Sequence, residues 1–226
     1  MSKGARKTGG GYKRAMKEKS GLRNPSPRAE KTTVLIVGAG RETEPNYFRA
    51  LSREESVSRR FAVTIKKGPG QSPDLVVASA ARIMQRERKY DEVWCILDVE
   101  APDHRKTLEE ALKTAEEHDI QVCLSNPSFE VWLLAHFEKT HKAFGDFKGV
   151  FPALNKHWRE HFSKDYERND EGIFRKLSQF TNAAISNAKW VREKHHGLSK
   201  KVQDCDSSTD VYRLVERLTS PQEVFD

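Results

Sequence analysis

Three stations of this 226-residue chain carry residues whose types and spacing could do chemistry, and each follows a short apolar run. The most specific is Asp98-Val99-Glu100, two carboxylates one residue apart. In an extended chain, residues i and i+2 point the same way, so both acids can face one hard cation. Mg²⁺ takes one or two carboxylates and otherwise keeps waters and phosphate oxygens. The competing reading is a pair of solvated acids at a strand end. The second station is Gly38-Ala39-Gly40, followed by Glu42 and Glu44. Its glycines invite a dinucleotide-binding reading, but Thr43 stands where the third glycine of that motif belongs. Lys66-Lys67 stands where an acid would hold a ribose, and no GK[ST] follows to make a phosphate loop. Glu44 precedes an expected helix start, where a carboxylate complements the helix dipole. The third station is Ser125 to Glu130, whose Glu130 is again an acid near a helix start.

The elements that must position these stations alternate. Thr33–Val37, Phe61–Ile65, Val93–Leu97 and Ile120–Leu124 are continuous β-rich apolar runs, as strands buried on both faces require. Between them lie helical patterns: one opening at Pro45 with Phe48 and Leu51, and one from Ser72-Pro73 to about Arg88. The second would bury Leu75, Val76, Ala80 and Ile83. A third covers Thr107–His118 and uses Leu108, Ala111, Leu112 and Ala115, and a fourth carries Phe129, Trp132, Leu133 and Phe137. This alternation predicts βαβ units: an α/β, Rossmann-like, mainly parallel sheet with helices on both faces. After about Gly145 the strand signal ends, and residues 146–226 read as helices, notably Ile173–His195 and Thr209–Leu218. In open sheets of this kind chemistry collects at the carboxyl ends of the strands. The three acidic stations all fall there, a pattern that calls for a divalent metal, Mg²⁺ or Mn²⁺.

Three segments together carry a family resemblance: Thr43-Glu44-Pro45-Asn46-Tyr47-Phe48, Val93-Trp94-Cys95-Ile96-Leu97-Asp98 and Ser125-Asn126-Pro127-Ser128-Phe129-Glu130-Val131-Trp132. With Ser207-Ser208-Thr209-Asp210-Val211-Tyr212 near the end, the chain from about Thr32 to Leu218 resembles the RloB-like family of phage-defence operons. That family is similar to the TOPRIM domains of topoisomerases, primases and OLD-type nucleases. The resemblance implies a TOPRIM-like domain over residues 32–140, with a helical region over 141–226 packed on it. It implies a metal-dependent endonuclease cutting RNA (tRNA among the candidates) or DNA, controlled by an ATPase from the same operon. Its glutamate after the first strand, within an EG pair, acts as general acid/base, and a DxD after the third strand holds Mg²⁺. Here the acid pair falls on Asp98 and Glu100, and the glutamate falls on Ala39, beside Gly40. Alanine neither transfers a proton nor binds a metal. The chain is then either a naturally degenerate member or one in which glutamate was exchanged for alanine. Glu130 is the candidate second-metal ligand, with helix capping as the alternative.

The remaining features are blander. Phe129, Trp132, Leu133 and Phe137 read as core, and His136 as structural. Cys95, Cys123 and Cys205 lack metal-ligand spacing and read as buried thiols. Lys156, Arg159, Lys164, Arg168, Arg175, Lys176 and His195-His196 could line a nucleic-acid path, with Lys164 and Arg168 taken as its binding residues; charged helix faces that are only solvated are the alternative. No apolar run approaches the ~20 residues that span a bilayer, and the N-terminus lacks the apolar stretch of a signal peptide, so a soluble, cytoplasmic protein is expected. The residues leave the oligomeric state open, a homo-oligomer included.

Net charge is +7, yet residues 1–31 hold ten Lys/Arg against two acids, so the rest is nearly balanced. Lys3, Arg6, Lys7, Lys13 and Arg14, with Gly9-Gly10-Gly11, Pro25 and Pro27, read as a flexible basic arm. It either binds polyanions or solubilises the chain. If it binds nucleic acid, deleting residues 1–30 should lower affinity and flatten the dependence of binding on salt. An unchanged salt slope in a filter-binding titration would leave solubility as its role.

Overall fold

Three of the apolar runs, Thr33–Val37, Val93–Leu97 and Ile120–Leu124, become buried inner strands because each is too hydrophobic to leave either face in water. Phe61–Ile65 instead becomes an edge strand buried fully only at Phe61, its expected two-sided burial lost because one side has no neighbouring strand. The computed structural model describes residues 30–40, 42–70, 72–99, 105–196 and 201–221. In chain order the elements begin β1 (Thr32–Gly38), α1 (Thr43–Arg53), α2 (Glu55–Ser58), β2 (Phe61–Lys67), α3 (Pro73–Glu87) and β3 (Glu92–Asp98). They continue as α4 (Arg105–Glu117), β4 (Gln121–Asn126), α5 (Glu130–Ala135), α6 (Phe147–Phe162), α7 (Ile173–Leu177), α8 (Thr181–His196), β5 (Ser208–Thr209) and α9 (Val211–Thr219). The sheet order is β2-β1-β3-β4-β5, with the first four strands parallel and β5 antiparallel.

Alternation along the strands divides the core in two. Val34, Ile36, Trp94, Ile96 and Cys123 pack with Tyr47, Phe48, Phe129 and Trp132, and with the helices of the C-terminal region. Leu35, Val37, Cys95, Leu97 and Leu124 turn the other way, onto Val76, Val77 and Ala80 of α3 and Leu108 and Ala111 of α4. Helices therefore cover both faces, as βαβ connections require. The C-terminal region brings Trp158, Phe174, Leu177, Ala184 and Leu214 into the first face's core. Arg60 ties α9 down: its Nη2 donates to the Leu218 carbonyl at 2.6 Å and its Nη1 to that of Ser220. These carbonyls lie at a helix end, where no intrahelical partner exists.

The chain leaves β1 for β2 on one side and returns to β3 on the other. The carboxyl ends of β1 and β3 thus flank a switch point, where connections diverge and leave a crevice. Gly38 pairs with Ile96, and the ladder runs on one step, the Ala39 N–H donating to the Ile96 carbonyl at 3.1 Å.

Three details differ from expectation. Leu75 is 47% exposed, and α3 buries Val76, Val77, Ala80 and Ala81 instead, with Ile83 only partly covered. Adjacent valines make the buried stripe ambiguous by one position, and the contact with α4 chooses. Pro45 is the third residue of α1, because Thr43 already begins the helix. Ser208 and Thr209 form a short fifth strand, pairing with Asn126 and Ser125, so α9 starts only at Val211. Two residues carry no detectable period, which is why this strand is invisible in the pattern.

Among the described residues no helix is long and apolar enough to cross a membrane. All three cysteines are buried, and burial pushes Cys95 and Cys123 up to about 12. The revised α3 stripe can be checked directly. Val77→Ala should cost about 2 kcal/mol, two methyl groups at ~0.8 kcal/mol each plus a small cavity term. Leu75→Ala should stay within about 0.5 kcal/mol. Urea unfolding of both variants decides between the two stripes.

Candidate functional site at the switch point

The carboxyl edge of the sheet gathers a buried acidic cluster built from three separate stretches of chain. Glu44, in the first turn of α1, is buried, and its carboxylate lies against the backbone of Gly40. A Cβ at position 40 would come within 1.7 Å of Glu44 Oε2, so a side chain there would oblige the Glu44 carboxylate to shift. Burial pushes Glu44 up to about 7, and the charge of Glu130 adds to the shift. The backbone N–H groups of Glu44 and Gly40 and the Arg168 cation pull the other way. Desolvation dominates because the carboxylate gives up more hydration than these donors return.

Glu130, the first residue of α5, is 3% exposed. Its Oε2 accepts from the Ser128 hydroxyl at 2.6 Å, and its Oε1 from Tyr166 Oη at 3.2 Å and Arg168 Nε at 3.0 Å. Arg168 and Tyr166 come from the loop between α6 and α7, residues 163–172. The Thr43 hydroxyl donates to the Arg168 carbonyl at 3.0 Å, and the Asn46 amide to that of Asn169 at 3.3 Å. The Tyr166 N–H donates to Asn155 Oδ1 at 2.7 Å. Arg168 Cζ sits 3.5 Å from the centroid of the Phe147 ring, a cation–π contact that fixes the guanidinium plane. Half of the Arg168 side chain stays exposed although Nε is spent on Glu130, and its outer nitrogens make no hydrogen bond among the described residues.

The sequence-nominated residues fall unevenly. Ala39 is 9% exposed and closes the apolar cluster of the α3–α4 face. Asp98 ends β3, in register with Ser125 of β4, and the Val99 N–H still donates to the Ser125 carbonyl. Glu100, and the tail residues Lys3, Arg6, Lys7, Lys13 and Arg14, lie outside the described residues. Lys164 is exposed beside the Arg168 loop. Lys156, Arg159 and Lys176 are ion-paired with Glu160, Asp165 and Asp170, which leaves them less available to a nucleic acid.

Among the described residues no three His, Cys, Asp or Glu side chains gather about one point. The donor chemistry nevertheless fits a hard cation. Glu44 and Glu130 are both buried, the Glu130 charge adds to the cost of ionising Glu44, and Arg168 is the cation that acts on both. Oxygen donors carrying excess negative charge are what Mg²⁺ or Mn²⁺ would relieve.

Sequence reading undervalued Glu44 and missed Tyr166, Ser128 and Thr43. A Ser-x-Glu before an apolar helix was the available signal for Ser128, and nothing local marks Tyr166. His136 is structural, as expected: Nδ1 donates to the Trp132 carbonyl at 3.0 Å, which leaves Nε2 to accept from Tyr47 Oη at 3.4 Å. Burial holds it neutral, down to about 4. The Ser207-Ser208-Thr209 stretch turns out to be architectural. The Thr209 and Ser125 hydroxyls bond at 2.8 Å, and the Asn126 amide donates to the carbonyls of Val202 and Gln203 at 3.1 Å.

A mostly parallel α/β sheet with a buried acid–arginine cluster at its switch point defines the class of protein. The chain belongs to the RloB-like family: the model of that family, described as RloB-like protein, matches residues 34–218, most of the chain. No curated protein and no solved structure matches it.

Glu44 has a measurable consequence. Its folded-state value near 7 lies above the ordinary 4.5, so the folded state holds its proton more tightly than the unfolded chain. The stability this gives is complete below about pH 4.5 and is lost as pH rises through 7. His136 works in the opposite sense, costing stability as pH falls from 6.5 towards 4, so the raw pH profile mixes the two. The difference profile of Glu44→Gln separates them. The variant should gain on the parent by roughly 2–3 kcal/mol between pH 5 and 8, read from denaturant midpoints. A pH-independent difference would mean that Glu44 ionises normally.

Proposed function

We propose that this chain has the architecture of a TOPRIM-type, Mg²⁺-dependent endonuclease acting in antiphage defence. Its substrate is RNA, tRNA among the candidates, or DNA, and an operon-encoded ATPase controls it in the cytoplasm. With Ala39 at the position of the expected glutamate, this form binds substrate and cleaves little or nothing. The observation that carries the reading is that position 39 directly follows β1 and Asp98 is the last residue of β3, two adjacent parallel strands at the switch point, with the Ala39 N–H donating to the Ile96 carbonyl. That is where a general acid/base and a metal-holding acid would have to meet.

Asp98 and Glu100 would hold the cation, with Glu130 the next acid within the same edge of the sheet. Bound there, Mg²⁺ would supply neutralisation of charge on the scissile phosphate. The chain's own groups do the rest. Arg168, fixed by Glu130 and Phe147 with its outer nitrogens unspent, suits a non-bridging phosphate oxygen. Glu44, near neutrality in its proton affinity, can hold or release a proton at working pH. Without a carboxylate at position 39, neither group replaces a base positioned against the attacking water.

A second reading rests on Ala39 itself, whose methyl group completes an apolar cluster. If alanine is the native residue, the chain is a nucleic-acid- or ATPase-binding subunit that has lost catalysis. Ala39→Glu separates the two. The nuclease reading expects metal-dependent cleavage to rise by ~10²–10⁴-fold, and expects Asp98→Ala to abolish the gain. An Ala39→Glu protein inert on tRNA, other RNA and DNA, with the ATPase present, would leave the binding-subunit reading. Should the Ala39 chain itself cut efficiently, Glu44 is the acid to replace next.

A further inference from the structure

We infer that the surface joining the end of α5 to α8 is a single-stranded nucleic-acid platform centred on Trp190. Trp94, Trp132 and Trp158 are buried in the core, whereas Trp190, on α8, is only half-buried. Cations border its ring. Lys139 Nζ lies 4.6 Å from the ring centroid, Lys194 Nζ 5.4 Å, and the His141 ring 5.8 Å. Lys142 lies beside them, 5.9 Å from the Phe144 ring. The Asn187 amide, donating to the Ala135 carbonyl at 2.9 Å, fixes α8 against the end of α5 and so holds both halves of the surface together.

The charge here is not spent within the protein. Other lysines of this chain find acids: Lys113 with Glu117, Lys156 with Glu160, Lys176 with Asp170, Lys189 with Glu216. Lys139, Lys142 and Lys194 make no ion pair among the described residues. The neighbouring acids are engaged elsewhere or stand apart. Glu138 bonds His157, Asp206 accepts from the Gly145 N–H, and Asp146 caps α6. Glu193 is exposed and pairs with none of the three.

Unpaired ammoniums over an accessible indole are the two halves of sequence-tolerant strand binding, phosphate neutralisation and base stacking. A base arriving on the ring would take the face that the lysines now cover, and its flanking phosphates would take the ammoniums. An acidic protein segment would satisfy the charge but leave the ring face without a flat partner, which is why a strand is the better fit. The inference rests on the nuclease reading for the strand's role as substrate, but the binding itself requires no cleavage.

The three buried tryptophans make the test clean. Titrating the full chain with a 12-nucleotide oligouridylate should quench tryptophan fluorescence. Trp190→Leu should abolish the quench and weaken binding roughly 5- to 150-fold, the worth of one stacked base. Trp190→Phe should retain part of the affinity without the quench. Lys139→Gln with Lys194→Gln leaves the indole in place and guards against a folding defect; it should reduce the slope of log K against log salt by about 1.4. Quenching that survives Trp190→Leu, or polyglutamate that binds as tightly as the oligonucleotide, would overturn the proposal. Because cleavage is never measured, an inert Ala39→Glu protein leaves this result standing, and a cleaving one does not rescue it.

Discussion

Glu130 is a carboxylate almost wholly withdrawn from water, and the meeting of sheet and helical region is arranged around satisfying it. It opens α5, just past β4 on the sheet side, yet two of its three donors, Tyr166 and Arg168, come from the loop beyond α6. Removing Arg168 would leave the buried Glu130 carboxylate short of a donor, although the half-exposed arginine itself stays in reach of water. The loop is therefore held to the switch point by electrostatics, and Thr43 and Asn46 fasten its backbone to α1 on the same side. The acids belong to the α/β part and the cation to the helical part, so the site exists only when both have folded together.

The same arrangement sets what the site can do. One guanidinium serves two buried acids, and Glu44 answers by holding its proton towards neutral pH. A site left short of positive charge attracts cations, and an arginine held by its inner nitrogen keeps its outer pair for an anion. Two buried acids and one guanidinium thus sit together at the edge of the sheet, with the outer nitrogens of the arginine unused among the described residues.

Much of this was legible in the residues. Strands buried on both faces announce themselves by unbroken runs, and the β1 to β4 spacing left room for helices and nothing else. The positions of Ala39, Asp98 and Glu130 at strand ends followed from that alternation. What could not be read were relations between distant segments. The worth of Glu44 depends on how deeply α1 is buried, which local sequence does not state. Arg168 could be nominated by type, but its partner lies 38 positions earlier. The two-residue β5 exists only because Ser125 and Asn126 offer an edge. In α3, consecutive Val76 and Val77 made the buried face a matter for the neighbouring helix to settle.

Position 39 and position 40 are tied to the site for different physical reasons. Gly40 is favoured by packing, since any side chain there would oblige the Glu44 carboxylate to shift. That demand is independent of the residue before it. Retention of the glycine beside Ala39 is therefore no sign that the chemistry of an EG pair survives. Ala39 meets the opposite condition: it is nearly buried against apolar neighbours, where a carboxylate would cost desolvation and a methyl group costs none. The fold thus keeps its turn, its acids and its arginine around an apolar residue at position 39, and a charged side chain there would act against the packing of the α3–α4 face.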